Sequence, residues 1–186
     1  MFQETDWNQR YCNHSEEYMN LPREWLVEHH SLLPPTGCIL EAAMGLGGNI
    51  SYLLDAGYDV FAIERSSEAV KYVKRSYPAA RVVMADLSRF WLPRAYFDLI
   101  CNFYYLEWSL MDQFRQSVKP GGLVIFETLT VGMLEVKPYM NRERLLKPGE
   151  LKAFFRDWDI LDYREGWVSS FGGNRKAVAS IVARNL

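Results

Sequence analysis

Two carboxylates and a cluster of glycines are spaced so that they can work on one ligand. The stretch Ile39-Leu40-Glu41-Ala42-Ala43-Met44-Gly45-Leu46-Gly47-Gly48-Asn49 reads as a short apolar strand that ends on an acid and passes through small residues into a turn. Ile50-Ser51-Tyr52-Leu53-Leu54 then continues as an amphipathic helix. Gly45, Gly47 and Gly48 allow left-handed backbone angles and close approach of a ligand to the main chain. A helix that starts there points its free N–H groups at whatever occupies the turn. The second acid, Glu64, closes the next apolar run, Val60-Phe61-Ala62-Ile63. An acid about 20 residues beyond a glycine turn, within one strand–helix–strand unit, is placed to bind the ribose hydroxyls of a nucleotide.

Two cofactor classes compete for this pattern. A dinucleotide turn has a third glycine or an alanine that lets helix pack on strand, but counting from Gly45 and Gly47 the third position is Ile50. Counting from the acid gives Glu41-x-Ala43-x-Gly45-x-Gly47, which resembles the first motif of class I S-adenosylmethionine (SAM) methyltransferases. Ala43 departs from the glycine usual there, as a small replacement. SAM is therefore favoured over NAD.

The elements that position these residues alternate strand and helix, which predicts an α/β fold with a mostly parallel sheet covered by helices on both faces. Strands are expected over 38–41, 59–64, 80–85, 97–103 and 123–128, and helices over 49–56, 67–76 and 110–118. Ser66 or Ser67 is placed to cap the helix over 67–76. A helix opening at Leu21-Pro22-Arg23 has Trp25, Leu26, His29, Leu32 and Leu33 as its buried stripe. Residues 129–145 read as a polar, irregular connection of a length that is usually functional. A helix from the Leu146-Lys147-Pro148-Gly149 stretch to Phe155 follows. Strands over 158–163 and 176–183, joined by a turn at Ser169–Asn174, form a final antiparallel hairpin. A dinucleotide fold would instead continue with parallel units.

Composition narrows the class further. Of 186 residues, 49% are apolar, and a formal net charge of −2 gives no basic excess to announce a nucleic-acid partner. No apolar run approaches the roughly 20 residues that cross a bilayer, and Met1–Trp7 lacks the character of a signal peptide. One domain over 1–186 in the cytoplasm is expected. Cys12, Cys38 and Cys101 have no metal-binding spacing, and no metal is expected.

Further candidates lie at strand ends. Met84-Ala85-Asp86-Leu87 ends a strand with an acid at the ligand side of an open sheet, where it can also cap a turn. Asn102-Phe103-Tyr104-Tyr105 shares its first and last residues with the Asn/Asp-Pro-Pro-Tyr/Phe of amino-methylating DNA enzymes, but lacks both prolines. Trp7-Asn8-Gln9-Arg10-Tyr11 forms a surface helix with Trp7 and Tyr11 on one side, a lid over the glycine turn, or both.

Taken together, Trp7–Tyr11, Glu41–Asn49, Glu64, Ala85–Leu87, Lys119-Pro120-Gly121-Gly122 and Leu145-Leu146-Lys147-Pro148-Gly149-Glu150-Leu151 resemble a small class I SAM methyltransferase of the group of the tellurite-resistance methyltransferases. The resemblance implies a Rossmann-like seven-stranded sheet, with 1–35 as an N-terminal lid and 129–145 as a substrate loop. It implies SAM as cofactor and S-adenosylhomocysteine as product. Glu64 would bind the ribose, and Asp86 with Leu87 the adenine, with Ile63 or Arg65 flanking it. The turn at Glu41, Ala43, Met44, Gly45 and Gly47 would lie under the methionine part, with Asn49 and Arg10 near its charged end. Asn102 and Phe103 would also face the cofactor. The acceptor, expected to be a small molecule, would meet Tyr11, Tyr104, Tyr105, Trp108 and Arg142. No general base is assigned, and His14 is read as a surface residue. The alternatives are a SAM-binding protein without methyl transfer, a nucleic-acid amino-methyltransferase and a nicotinamide-dependent enzyme.

Overall fold

The computed structural model describes residues 7–12, 20–170 and 173–186. Its elements in chain order are α1 (Trp7–Cys12), α2 (Glu24–Glu28), β1 (Cys38–Ala42), α3 (Gly48–Asp55), β2 (Asp59–Glu64), α4 (Ser67–Ser76), β3 (Arg81–Met84), β4 (Phe97–Phe103), α5 (Trp108–Ser117), β5 (Val118–Leu129), α6 (Glu150–Phe154), β6 (Asp159–Ser169) and β7 (Arg175–Arg184). One seven-stranded sheet has the order β3-β2-β1-β4-β5-β7-β6. The pairs from β3 through β5 are parallel, and β7 runs antiparallel to both β5 and β6. This is the Rossmann-like architecture with an antiparallel end that the strand–helix alternation predicted.

The central strands are apolar throughout because both of their faces are covered. Successive residues go to opposite sides: Leu40, Ile100, Val124 and Phe126 pack with Phe114, Leu151 and Phe155 on one face. Ile39, Leu99, Cys101 and Ile125 pack with Leu26, Ile50, Leu53 and Val73 on the other. Helix α4 starts where Ser66 accepts a hydrogen bond from the Ala69 N–H at 3.3 Å, satisfying an N–H that the first turn leaves unpaired.

Three stretches differ from their sequence reading. Strand β5 starts at Val118, directly after α5, so Lys119-Pro120-Gly121-Gly122 lies in an irregular strand entry rather than in a loop that ends the helix. There the β4–β5 register jumps between the Phe97↔Val118 and Leu99↔Leu123 pairs. Asn185 holds that entry, its side-chain amide donating to the carbonyls of Val118 (3.0 Å) and Lys119 (3.2 Å). The connection 129–145 is packed rather than structureless. It contains two short 3₁₀ turns, Val131–Glu135 and Arg142–Arg144, and buries Met133 and Leu145 against Ala177. Backbone bonds Val131 N–H to Leu146 O (2.9 Å) and Leu146 N–H to Leu129 O (3.0 Å) close it. Its apolar residues follow no helical or strand period, which is why the pattern was invisible. The third difference is the short α6, which begins only after Gly149 in a left-handed conformation. In the β6–β7 turn, Phe171 and Gly172 lie outside the described residues, as does His14.

Helix α2 buries Trp25, Leu26, His29 and Leu33 as expected, with Leu32 partly covered. His29 ties this helix to the far edge of the sheet. Its Nδ1 is 2.7 Å from the Trp25 carbonyl and its Nε2 is 2.8 Å from the Asp162 carboxylate on β6. Each ring nitrogen thus faces an acceptor, one on the main chain and one on β6. The His29 hydrogen bond holds the Asp162 carboxyl below the usual carboxylate range. A depressed carboxylate contributes stability above its unfolded value, and that contribution is lost as pH falls through the folded one. Asp162→Asn is therefore expected to cost less than about 1 kcal/mol near pH 7, because the carboxylate is half exposed. The gap in urea midpoint between wild type and variant should close as pH is lowered towards 3.

Candidate functional site

The carboxyl ends of β1, β2 and β4 meet where the strand order reverses, the crevice in which open α/β sheets bind ligands. Glu41, near the end of β1, is buried; its Oε1 accepts from Asn49 Nδ2 at 2.7 Å, while its Oε2 has no hydrogen-bond partner. Asn49 is held in turn by the Arg23 backbone N–H, which donates to its Oδ1 at 2.8 Å. Burial pushes the Glu41 carboxyl up to about 8, with the Asn49 hydrogen bond and the Arg23 charge opposing the shift.

Glu64, at the end of β2, accepts three backbone N–H groups. Arg65 (2.8 Å) and Ser66 (2.9 Å) donate to Oε1, and Gly45 (3.0 Å) donates to Oε2. A carboxylate offers roughly four acceptor positions, so this one joins two turns and still has room for a hydroxyl. The turn it holds is strained by design. Ala43 (φ 53°), Gly45 (φ 55°) and Gly47 (φ 80°) all sit in the left-handed region, and the Met44 N–H donates to Ile63 O at 3.2 Å.

Helix α1 lies against this turn. Tyr11 is buried with Leu46 and Ala69, and Trp7 stacks on it at 5.5 Å. A Cβ on Gly45 would stand 3.1 Å from the Tyr11 hydroxyl, so glycine is what lets α1 close down. Arg10 lies over the Trp7 ring at 5.2 Å. Ser66 Oγ donates to Asn8 Oδ1 at 2.7 Å, pinning α1 to the start of α4. Gly48 has a similar role towards the segment before α2, since a Cβ there would meet the Leu21 carbonyl at 2.3 Å.

The remaining candidates spread outwards. Asp86 is exposed and caps a 3₁₀ turn over Leu87–Arg89, accepting from Ser88 N–H (3.0 Å) and Ser88 Oγ (2.8 Å). These bonds hold its carboxyl below the usual range. Leu87 is buried beside it. Asn102 pairs with Ala42 across the β1–β4 boundary. It donates to the Tyr105 carbonyl at 2.7 Å, and its buried Oδ1 lacks a partner. Phe103 is buried. Tyr104 takes a left-handed backbone angle (φ 61°), and its hydroxyl donates to Glu127 Oε1 at 2.7 Å. Burial and the neighbouring Glu127 push the Tyr104 phenol well above its ordinary value, and burial with Glu107 nearby lifts Tyr105 to about 12. Trp108 opens α5, partly exposed and edge-on to Phe154. Arg142 stands on the exposed turn Arg142–Arg144.

The unpartnered Glu41 and Asn102 oxygens, the Glu64 carboxylate and the glycine turn suit a ligand carrying amine and hydroxyl donors, as SAM does. A concavity lined by Leu32, Pro34, Asp98, Pro120 and Arg184 lies at the opposite ends of the strands and contains none of these groups. Residues 40–126 match the methyltransferase domain family. Over this stretch the chain is similar to SAM-dependent methyltransferases. It is 30% identical over 119 residues to a malonyl-[acyl-carrier protein] O-methyltransferase of Enterobacter lignolyticus, covering 56% of this chain and 47% of that protein. A probable S-adenosylmethionine-dependent methyltransferase of Mycobacterium tuberculosis is 34% identical over 136 residues, covering 67% of this chain and 48% of its own. The chain thus spans about half the length of the curated relatives it matches. In fold it is similar to TehB of Haemophilus influenzae, with a TM-score of 0.73 and 17% identity over 87% of this chain and 61% of that one.

A group on the far side of β4 carried less weight in the sequence than it does in the structure. Glu127 on β5 accepts from Tyr104, from Ser180 Oγ (2.7 Å) and from Arg164 (3.0 Å). The signal was present: Val124-Ile125-Phe126-Glu127 is an apolar strand reaching an acid, like the strands of Glu41 and Glu64. Ser180 and Arg164 carried no such mark.

Two outcomes follow for the turn. Ala43→Gly removes a left-handed alanine, worth about 1–2 kcal/mol, and adds about 0.4–1 kcal/mol of unfolded-state entropy; it should leave stability equal or up to about 1.5 kcal/mol higher in urea unfolding. Glu41 has a raised folded value, so its contribution is full below the unfolded value and is lost as pH rises through about 8. Without ligand, the melting temperature of wild type should therefore fall relative to Glu41→Gln between pH 5 and 8.5. A constant difference across that range would show that Glu41 does not titrate there.

Proposed function

We propose that this chain, as one domain over 1–186, transfers a methyl group from SAM to a small-molecule acceptor in the cytoplasm. The observation that carries this reading is the convergence of Glu41, Glu64 and the Gly45 turn on one strand-end crevice beside the aromatic residues of β4. SAM supplies a methyl group already activated as a sulfonium, so the protein has chiefly to position the acceptor and exclude water. Glu64 holds the ribose hydroxyls, while Asp86 and Leu87 hold the adenine, with Arg65 at its edge. Ala43, Met44, Gly45 and Gly47 lie along the methionine part, and Glu41, Asn49, Arg10 and Asn102 surround its charged end. Asn49 acts through Glu41, whose Oε1 it already fixes.

Tyr11 closes the turn from above, and Phe103, Tyr104, Tyr105 and Trp108 line the way to the acceptor. The packed connection 129–145 carries Arg142 at its edge as the substrate loop. No side chain is assigned as general base, which suits an acceptor that is soft or already deprotonated. The absence of a basic excess (net charge −2) argues against nucleic acid as acceptor. No helix among the described residues is long and apolar enough to cross a membrane.

Calorimetric titration with SAM, S-adenosylhomocysteine and NAD tests the reading. Micromolar uptake of the two adenosyl ligands but not NAD is expected, weakened tenfold or more (about 1.4 kcal/mol) in Glu64→Ala. Uptake of NAD alone, or of nothing, overturns it. Tight SAM uptake with no methyl transfer across a broad acceptor screen would favour a SAM-binding role without turnover.

A further inference from the structure

Beyond β4 the site carries positive charge that the protein itself leaves unanswered. Arg23, just before α2, places its guanidinium over the Tyr104 ring at 5.0 Å, and Lys176, at the start of β7, places its ammonium over the same ring at 4.3 Å. Both side chains are half-buried. Among the described residues no carboxylate lies within ion-pair distance of either. Of the acids nearby, Glu127 is already engaged by Arg164, Ser180 and Tyr104, and Glu41, which the Arg23 charge reaches, is buried and held by Asn49. Burial and the adjoining Arg23 lower the Lys176 ammonium, and Lys137 and Arg10 act in the same direction, with Glu127 opposing. Removing two cations from water without a counter-charge is costly, and a site that does so is built for an anion from outside.

The position says which partner that anion belongs to. Of the cofactor groups assigned above, those carried by strands lie on β2, β1 and the β1 end of β4, from Glu64 to Glu41 and Asn102. Lys176 is on β7, three strands from β1 in the order β1-β4-β5-β7, roughly 14 Å at the spacing of neighbouring strands. Tyr104 lies between, immediately after the last residue of β4, where an acceptor has to stand. We infer that the methyl acceptor carries a carboxylate or similar small oxyanion, held by Lys176 and Arg23 above Tyr104. The inference rests on the proposed function and names the acceptor class of that same site. Glu127 is the positioning residue, fixing the Tyr104 hydroxyl while its other oxygen is anchored across the sheet by Ser180, with which it pairs in register.

The test uses the whole chain saturated with S-adenosylhomocysteine, titrated by calorimetry with benzoate and malonate and with their neutral counterparts benzamide and malonamide. At least one carboxylate should bind, with its amide at least tenfold weaker. Lys176→Met and Arg23→Met should each weaken that carboxylate tenfold or more while S-adenosylhomocysteine affinity stays within twofold. Lys176→Arg, which keeps the charge, should restore carboxylate binding to within threefold and so separates charge from folding. Carboxylates and amides binding alike, or no carboxylate binding to a loaded protein, overturns the inference alone. A tenfold loss of S-adenosylhomocysteine affinity in both Met variants, with carboxylate binding intact, assigns the cations to the cofactor's own carboxylate and also overturns it. A wild type that takes up no S-adenosylhomocysteine overturns the proposed function and this inference together.

Discussion

Three parallel strands carry a carboxylate into a place that water hardly reaches. Glu41, Glu64 and Glu127 retain 3%, 5% and 4% of their exposure, and a buried carboxylate without donors would cost several kcal/mol. The local backbone is arranged around that constraint. Glu64 is answered by three main-chain N–H groups, which fixes the turns after β1 and β2 relative to each other. Glu127 is answered by a phenol, a hydroxyl and a guanidinium from three other segments. Glu41 receives a single side-chain amide and retains one bare oxygen. The least satisfied of the three stands at the reversal point of the sheet, where a ligand has donors to contribute.

Much of this was legible in the residues themselves. Apolar runs bounded by Glu, Gly or Ser gave β2, α4 and β4 at the boundaries observed, because each is a central strand or a well-capped amphipathic helix whose pattern answers directly to burial. The pairing of Glu41 and Glu64 about a glycine turn was legible for the same reason: spacing along one strand–helix–strand unit is local information. Ala43 was noted as a departure, and the structure shows the angle it has to adopt.

The rest was illegible because it is made by distant segments. Glu127 meets Arg164 and Ser180 only because β7 inserts between β5 and β6. Arg23 and Lys176 are far apart in the chain and converge only over Tyr104. Overall charge misled as well. A net of −2 averages over the molecule, while the region beyond β4 is locally cationic, and it is the local field that a small ligand meets. The connection 129–145 looked irregular because its apolar residues pack through short turns rather than a repeating face.

The position of β7 sets the order in which the molecule can be completed as it emerges from the ribosome. Strands β1 to β5 extend the sheet outwards with parallel neighbours already made, so that half can gather its core while synthesis continues. Strand β6 is produced before β7 yet forms backbone pairs with the sheet only through it. It must wait, with its pairing groups open, until β7 is released and slides between it and β5. That same late insertion brings Ser180 to Glu127 and Lys176 to Tyr104. Ser180 and Lys176 therefore join the crevice only after the glycine turn and the strands around it have been made.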